Sequence, residues 1–156
     1  MGNKPLATLE KGPAGQFSMF IPGQPEPMPR PKVSRIPYPH AYYPGKRNCS
    51  WKTWAESIRI HAKYMGRLPL DRWDAVSLKV IFIIQPPDGL AKKRRGYLVP
   101  KKPDLDNYVK LVMDQLTRVG VFKDDNVVAH LDAKKLYAKE GETPGMWLRL
   151  EVLKQD

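Results

Sequence analysis

The sequence has few of the side chains that build covalent cross-links or zinc sites. Its one cysteine, Cys49, cannot form an internal disulfide, and a lone thiol suits a protein of the cytosol. The three histidines, His40, His61 and His130, are scattered and lack the paired Cys/His spacing of a zinc module. We therefore expect an apolar core, and no disulfide or zinc framework, to hold the chain together.

Long hydrophobic runs are also missing. No apolar stretch approaches the ~18 residues of a membrane-spanning helix. Residues 1–15 lack the apolar segment of a signal peptide, so a cytoplasmic protein is expected. These residues are rich in Gly, Pro and Lys, and they are predicted to form a flexible arm ahead of one domain over 16–156.

Acidic residues are scarce relative to basic ones. Sixteen Asp and Glu stand against 27 Lys and Arg, which gives a net charge of +11 and a pI near 9.8. An excess of this size favours a polyanionic partner, and without a basic amphipathic helix a nucleic acid is expected rather than a membrane surface. Hydrophobic residues make up 42% of the chain, so it should nevertheless fold around an ordinary core.

Hydrophobic periodicity predicts four strands and two helices. Alternating apolar residues indicate strands, and apolar residues at helical spacing indicate helices. The strands are predicted at 16–21, 74–84, 127–137 and 146–152, and the helices at 50–65 and 105–119. A break in alternation at Lys134 and Lys135 predicts a bulge in the third strand. The order β-α-β-α-β-β predicts an α+β fold of two layers, in which a mixed β-sheet carries both helices on one face.

A proline-rich stretch separates the first predicted strand from the first helix. Residues 24–48 contain seven prolines, which exclude a helix or a central strand and predict a semi-rigid loop. Its cations are interleaved with tyrosines, a pattern that suits phosphate contacts and base stacking. Alternatively, the tyrosines only pin the loop to the domain. The residues concerned are Arg30, Lys32, Arg35, Lys46, Arg47, Tyr38, Tyr42 and Tyr43.

A second group of cations lies just before the second predicted helix. Six cations fall within eleven residues, namely Lys92, Lys93, Arg94, Arg95, Lys101 and Lys102. Charges this dense repel one another unless a polyanion neutralises them. We therefore expect this group, together with Arg30, Lys32 and Arg35, to contact a nucleic acid backbone. A solvated loop without a partner is the alternative.

Three aspartates stand amid these cations. Asp104 and Asp106 lie at the start of the second predicted helix and project the same way in an extended segment, while Asp125 follows the helix. Carboxylates repel, so gathering them favours a hard divalent cation, Mg²⁺ or Mn²⁺, between them. Such a site can activate a water for in-line attack on a phosphodiester. Spacing alone does not choose between Asp124 and Asp125 for the third acid.

The helix that follows carries a lysine with two possible roles. Lys110 lies one turn after Asp106 and could stabilise charge on a leaving oxygen, or protonate it. The simpler interpretation is structural. Charges alternate every four residues at Asp106, Lys110, Asp114 and Arg118, and such pairs each stabilise a helix by ~0.2–0.5 kcal/mol. Asp106 could likewise be only a helix cap, so both interpretations stay open.

The second half of the chain also carries a family resemblance. The run KPDLDNYVKLVMDQLTRVGVFKDDNVV, which starts at Lys102, resembles the RusA family of Holliday junction resolvases without a gap through Asp125. Residues 21–31 are similar to the proline- and arginine-bearing start of the phage-type members. The resemblance implies a small homodimeric, Mg²⁺-dependent endodeoxyribonuclease that binds four-way DNA junctions and nicks two strands symmetrically.

Matching the motif residue by residue assigns roles within this sequence. The resemblance implies metal binding by Asp104, Asp106 and Asp125, and a catalytic role for Lys110. Two further motif positions, Asn107 and Asp114, would support the metal ligands or only the helix. The cationic segments would contact branched DNA, and two symmetric cuts suit a two-fold dimer.

Two other functions are compatible with the residues. The acids could be only caps and ion-pair partners, which would leave a non-catalytic basic DNA-binding module. The metal site could instead serve a nuclease that acts on RNA or on flap structures.

Overall fold

The computed structural model of the protein describes residues 9–11, 15–42 and 50–155. Tyr43, Lys46, Arg47 and Cys49 lie outside these ranges, as does most of the predicted N-terminal arm. Three residues of that arm, Leu9–Lys11, form a strand that pairs antiparallel with the next strand along the chain.

Seven strands are present in the described ranges. In chain order they are β1 Leu9–Lys11, β2 Gln16–Pro22, β3 Lys32–Ser34, β4 His40–Tyr42, β5 Ala75–Ile84, β6 Val128–Tyr137 and β7 Gly145–Leu153. Five of them form one sheet in the order β1-β2-β7-β5-β6. The β5–β6 pair is parallel and the other neighbours are antiparallel, which confirms the predicted mixed sheet.

Two helices cover one face of this sheet. Helix α1 spans Ser50–Ala62 and is extended by a 3-10 turn over Lys63–Met65, and helix α2 spans Leu105–Arg118. Both are amphipathic, and their apolar stripes pack into one core with the inward residues of β5. Those residues of β5 are Val76, Leu78, Val80 and Phe82. Neither described helix is long and apolar enough to cross a membrane.

The opposite face of the sheet is only partly covered. Lys79 on β5 forms an ion pair with Asp132 on β6, with 3.5 Å between Nζ and Oδ2. Nearby, the Trp147 ring packs against Phe20 at 5.0 Å between centroids and remains half exposed. The core is therefore one-sided, as the predicted two-layer arrangement requires.

Helix α2 is the crossover that joins the two parallel strands. Antiparallel strands can be joined by a tight turn, but β5 and β6 run the same way and need a longer connection. The chain leaves β5 at Ile84, passes through residues 85–104, and returns along α2 to the start of β6. A helix of 14 residues is ~20 Å long, so Asp104 precedes one end of α2 and Asp125 follows the other.

Two local predictions are wrong. The proline-rich stretch is not entirely loop, because β3 and β4 pair as a two-stranded hairpin inside it. This is sterically possible since Pro31, Pro37 and Pro39 flank the paired residues and take no place in the ladder. The bulge lies opposite the Val76–Ser77 step of β5, not at Lys135, which pairs in register with Phe82.

Candidate active site

The acidic segment begins at the residue that precedes α2. Asp104 is the N-cap residue with extended backbone angles, φ −70° and ψ 141°, but its side chain makes no capping hydrogen bond. Instead its carboxylate Oδ2 accepts from Arg30 Nη2 at 2.8 Å. Asp106 is the second residue of the helix and so is not its cap. The interpretation of Asp106 as a mere N-cap is therefore wrong.

Arg30 ties the segment before β3 to the first turn of α2. The Asn107 side-chain oxygen, in the amide orientation that satisfies both groups, accepts from Arg30 Nε at 3.2 Å and Nη2 at 3.3 Å. The main chain adds a second link, because Met28 N donates to Asn107 O at 3.0 Å. Arg30 was predicted to contact DNA, and its guanidinium is here shared by Asp104 and Asn107.

Lys135 is a site residue that the sequence analysis missed. Its ammonium group lies beneath the segment that leads into α2, where it donates to the carbonyl oxygens of Lys101 and Pro103. The side chain is buried, with Nζ 6.0 Å from the centroid of the Tyr108 ring. Burial lowers the pKa of Lys135, and the negative charge of Asp104 opposes that shift. The sequence signal for this residue was a cation at an inward-facing position of β6. The sequence analysis interpreted that break in alternation as a bulge instead.

Glu26 and Tyr108 form a further partly buried pair of groups near the first turn of α2. Burial raises the pKa of Glu26, and a hydrogen bond from Ser50 partly offsets this. Burial, followed by the charge of Glu26, raises the pKa of Tyr108 to about 12. The Tyr108 ring packs against Phe82 at 5.2 Å between centroids, so it remains a neutral core residue at physiological pH.

A second group of charges lies towards the far end of α2. Asp114 is partly buried, and burial raises its pKa. The negative charge of Asp125 raises this pKa further, while the positive charge of Lys110 lowers it. Lys110 and Asp125 are therefore both close enough to Asp114 for their charges to change its pKa.

The choice between the two adjacent aspartates after α2 has a structural basis. Asp124 is the N-cap of a 3-10 turn over Asp125–Val127, and its carboxylate Oδ1 accepts from Asn126 N at 3.0 Å. Asp125 makes no such capping bond, and its charge acts on Asp114 instead. Asp125 is thus the better candidate for a ligand, whereas Asp124 shapes the turn.

The oxygen ligands fit a hard divalent cation by their chemistry, because Mg²⁺ and Mn²⁺ prefer carboxylates. In the part of the chain that the structure describes, however, no three His, Cys, Asp or Glu side chains are grouped closely enough to hold a metal ion. Asp104 precedes α2 and Asp125 follows it, and the charge of Asp125 acts on Asp114 within the helix. The three predicted ligands thus lie on one helix and its two flanks without forming a compact cluster.

The predicted DNA-contacting cations lie on the surface around this helix. Lys92–Arg94 form an exposed 3-10 turn, and Lys101 and Lys102 are exposed immediately before Asp104. Arg95 is partly buried. Lys32 and Arg35 are exposed in and after β3 of the hairpin. Apart from Arg95, these side chains are accessible to a polyanion, and Arg30 is also exposed although it is paired with Asp104.

Comparison with known proteins decides the family. The profile of the family described as "Endodeoxyribonuclease RusA" matches residues 22–146, which include both helices, the hairpin and every acid discussed above. The chain belongs to the RusA endodeoxyribonuclease family. This confirms the predicted family, whose description names an endodeoxyribonuclease. RusA nucleases are metal-dependent in general.

One curated relative is similar over a shorter region. It is the "Uncharacterized protein YqaN" of Bacillus subtilis (strain 168), with 46% identity over 50 residues. The alignment covers 31% of this chain and 34% of YqaN, so the chain spans about a third of the length of that relative.

Proposed function

We propose that this RusA family member is a Mg²⁺-dependent, structure-selective endodeoxyribonuclease that resolves four-way DNA junctions by paired symmetric nicks. Mn²⁺ would substitute for Mg²⁺, and a homodimer would make the two cuts. The observation that carries the proposal is the acidic flank of α2, formed by Asp104 and Asp106 at its start, within a surface of exposed cations. The chain that carries it matches the endonuclease family over 22–146. A DNA-acting enzyme of this kind would work in the cytoplasm, associated with the nucleoid.

The residues proposed to bind Mg²⁺ are Asp104, Asp106 and Asp125, with one or two of these carboxylates to each ion, because the three form no compact group in the described ranges. Their carboxylate oxygens supply the hard ligands that Mg²⁺ prefers, and substrate phosphate and water would complete its coordination. When bound, the ion supplies Lewis acidity and a water of lowered pKa. Asn107 and Asp114 would support this set, Asn107 through Arg30 and Asp114 through its charge.

The other residues act on the DNA itself. The exposed cations of 92–94, 101 and 102 neutralise phosphates and orient the backbone across the acidic flank of α2. Lys110 is exposed on that flank, where its ammonium group can stabilise negative charge on the leaving oxygen or donate a proton to it. Arg30 holds the Asp104 carboxylate at 2.8 Å and so sets the position of one ligand.

The test is cleavage of a labelled four-way junction by the intact protein, with Mg²⁺ and with a chelator. Asp104→Asn, Asp106→Asn and Asp125→Asn should each slow cleavage by more than ~100-fold, since even outer partners of metal ligands are worth 10–100-fold. Junction binding should persist, because phosphate contacts supply most of the affinity. Asp124→Asn is the matched control and should retain metal-dependent cleavage.

One observation favours a second candidate function. Within the described ranges the acids form no compact metal group, and Asp104 is already paired with Arg30. A non-catalytic DNA-binding module would therefore bind the junction and leave every strand whole at millimolar Mg²⁺. Parallel assays with duplex, flap and RNA substrates distinguish a junction nuclease from one that acts on those structures.

A further inference from the structure

A groove on the outer edge of the sheet combines aromatic, aliphatic and cationic side chains. It has a volume of about 350 Å³ and is lined by Leu90, Arg94, Tyr97, Leu98, Lys101 and Tyr137, together with Pro100. Two of its apolar side chains are unusually open to solvent, since Tyr97 is 56% exposed and Leu98 is 63% exposed. Large apolar side chains that share an exposed groove in this way indicate a binding surface.

The groove wall is held rigidly to the sheet. Residues 96–99 run antiparallel along the free edge of β6, where Gly96 N donates to Tyr137 O at 2.9 Å and Tyr137 N donates to Tyr97 O at 3.0 Å. Val99 N continues the ladder by donating to Lys135 O at 3.0 Å. The exposure of Tyr97 and Leu98 is therefore a property of ordered backbone.

The same lysine connects this wall to the acidic segment. Lys135 accepts from Val99 through its main chain, and its side chain binds the carbonyl oxygens of Lys101 and Pro103, next to Asp104. The groove residue Lys101 is only three residues before Asp104. A DNA strand that lies across the acidic flank of α2 would therefore also reach the groove.

Charge decides what can occupy the groove. Arg94 and Lys101 line it, and exposed Lys92 and Lys93 adjoin it. A second copy of the chain docked here face to face would bring these cations against each other, which is unfavourable. A negatively charged partner with flat apolar faces is favoured, because aromatic rings stack on bases while Arg and Lys bind phosphates.

We propose that the Tyr97–Leu98 groove binds an unstacked nucleobase of the DNA strand, with Tyr97 as the stacking platform and with Arg94 and Lys101 on the flanking phosphates. This inference rests on the proposed DNA substrate. It adds a base-binding subsite beside the metal-binding acids, through which the protein distinguishes DNA with unpaired or splayed bases from a continuous duplex.

The experiment compares two probes in chelator, so that no strand is cut. One is a short fluorescent single-stranded oligonucleotide, and the other has the same length and charge but is built from abasic sugars. The full-length protein should prefer the base-bearing probe by about five- to hundredfold, the range expected for base–aromatic stacking. Tyr97→Ala should abolish most of this preference, and Tyr97→Phe should retain it. Tyr64→Ala removes an exposed tyrosine elsewhere and should leave it unchanged.

Three results would overturn the inference. The first is that Tyr97→Ala keeps the wild-type preference for the base-bearing probe. The second is that Tyr97→Ala loses affinity equally for both probes. The third is that Tyr97→Ala changes the oligomeric state of the protein, which would make the groove a contact between subunits. Junction cleavage by the wild-type protein with Mg²⁺ is read separately. Cleavage without a base preference refutes the groove alone, and a base preference that Tyr97→Ala abolishes, without cleavage, refutes the nuclease alone.

Discussion

At the residue scale, the amino group of Lys135 is buried against the backbone that carries Asp104. It donates to two carbonyl oxygens, those of Lys101 and Pro103, that the neighbouring loop would otherwise leave unpaired beneath the site. Burial of a cation is costly, and these bonds, the Tyr108 ring and the charge of Asp104 offset that cost. A single side chain thereby fixes the entry to α2.

Lys135→Met should lower the free energy of unfolding by ~1–3 kcal/mol, because two part-buried carbonyls lose their donor. Urea unfolding of the purified protein measures this difference. Lys134→Met is the control. The Lys134 side chain is next in sequence but exposed, so its replacement should change stability little. Equal effects of the two substitutions would mean that the buried hydrogen bonds contribute nothing.

Because the pKa of Asp114 is raised in the folded protein, ionisation of this side chain should lower the free energy of unfolding as the pH rises. The fold disfavours its ionised form, so destabilisation sets in as pH rises from the unfolded value near ~3.9 through the raised folded pKa. In chelator, Asp114→Asn should therefore be more stable than the wild type at pH 7, and this advantage should vanish below the unfolded pKa.

Unfolding curves at several pH values check this expectation. Asp88→Asn, which alters an exposed loop acid, should show no comparable gain at pH 7. A stability loss in Asp114→Asn at neutral pH would show that the attraction of Lys110 outweighs burial and the repulsion from Asp125.

At the scale of elements, the end of α2 decides where Asp125 lies. The helix ends in a Schellman motif, in which Val121 N donates to Leu116 O and Gly120 N donates to Thr117 O, both at 3.0 Å. Gly120 has φ +81°, a conformation that L side chains adopt only at a cost. The turn reverses the chain, so that Asp125 comes back beside Asp114.

Gly120→Ala should reduce the free energy of unfolding by ~1–2 kcal/mol, the cost of a left-handed conformation. Nothing lies within 4 Å of a Cβ at this position, so the effect is conformational rather than steric. Gly120→Asn should cost less, because Asn tolerates this conformation better. Thermal or urea unfolding measures both variants, and equal losses would contradict the backbone explanation.

At the scale of the whole molecule, the net charge of +11 includes six cations in the segment 92–102 that precedes α2. DNA binding should therefore weaken steeply with salt, as counterions released from the phosphates are recaptured. Lys92→Ala with Lys93→Ala should reduce the slope of log K against log salt by up to ~1.8, since each phosphate contact contributes ~0.9.

Fluorescence anisotropy with a four-way junction over a salt series measures the slope. The paired substitution Lys63→Ala with Arg67→Ala removes two exposed cations near the end of α1 and is the matched control for total charge. If both double variants change the slope equally, net charge governs binding and the 92–102 segment has no special place in the interface.

Several features could be predicted from the sequence because they depend on local pattern. The alternation of Val76, Leu78 and Val80 determined β5 and its buried face, and the apolar stripe of α2 determined that this helix covers the sheet. The charge excess and the motif from Lys102 to Asp125 indicated a polyanion and the RusA family. The order of elements fixed an α+β fold, since a parallel pair needs a helical crossover.

Only the tertiary structure decided features that join residues distant in the chain. Arg30 and Asp104 are 74 residues apart, and their pairing depends on how the segment before β3 packs on α2. The sequence analysis predicted a bulge at Lys135 because a cation interrupts the apolar alternation there. Its partners, the carbonyl oxygens of Lys101 and Pro103, belong to a loop whose position cannot be predicted from local periodicity. The effect of Asp125 on the pKa of Asp114 likewise depends on tertiary structure, because it requires the chain to turn back after the end of α2.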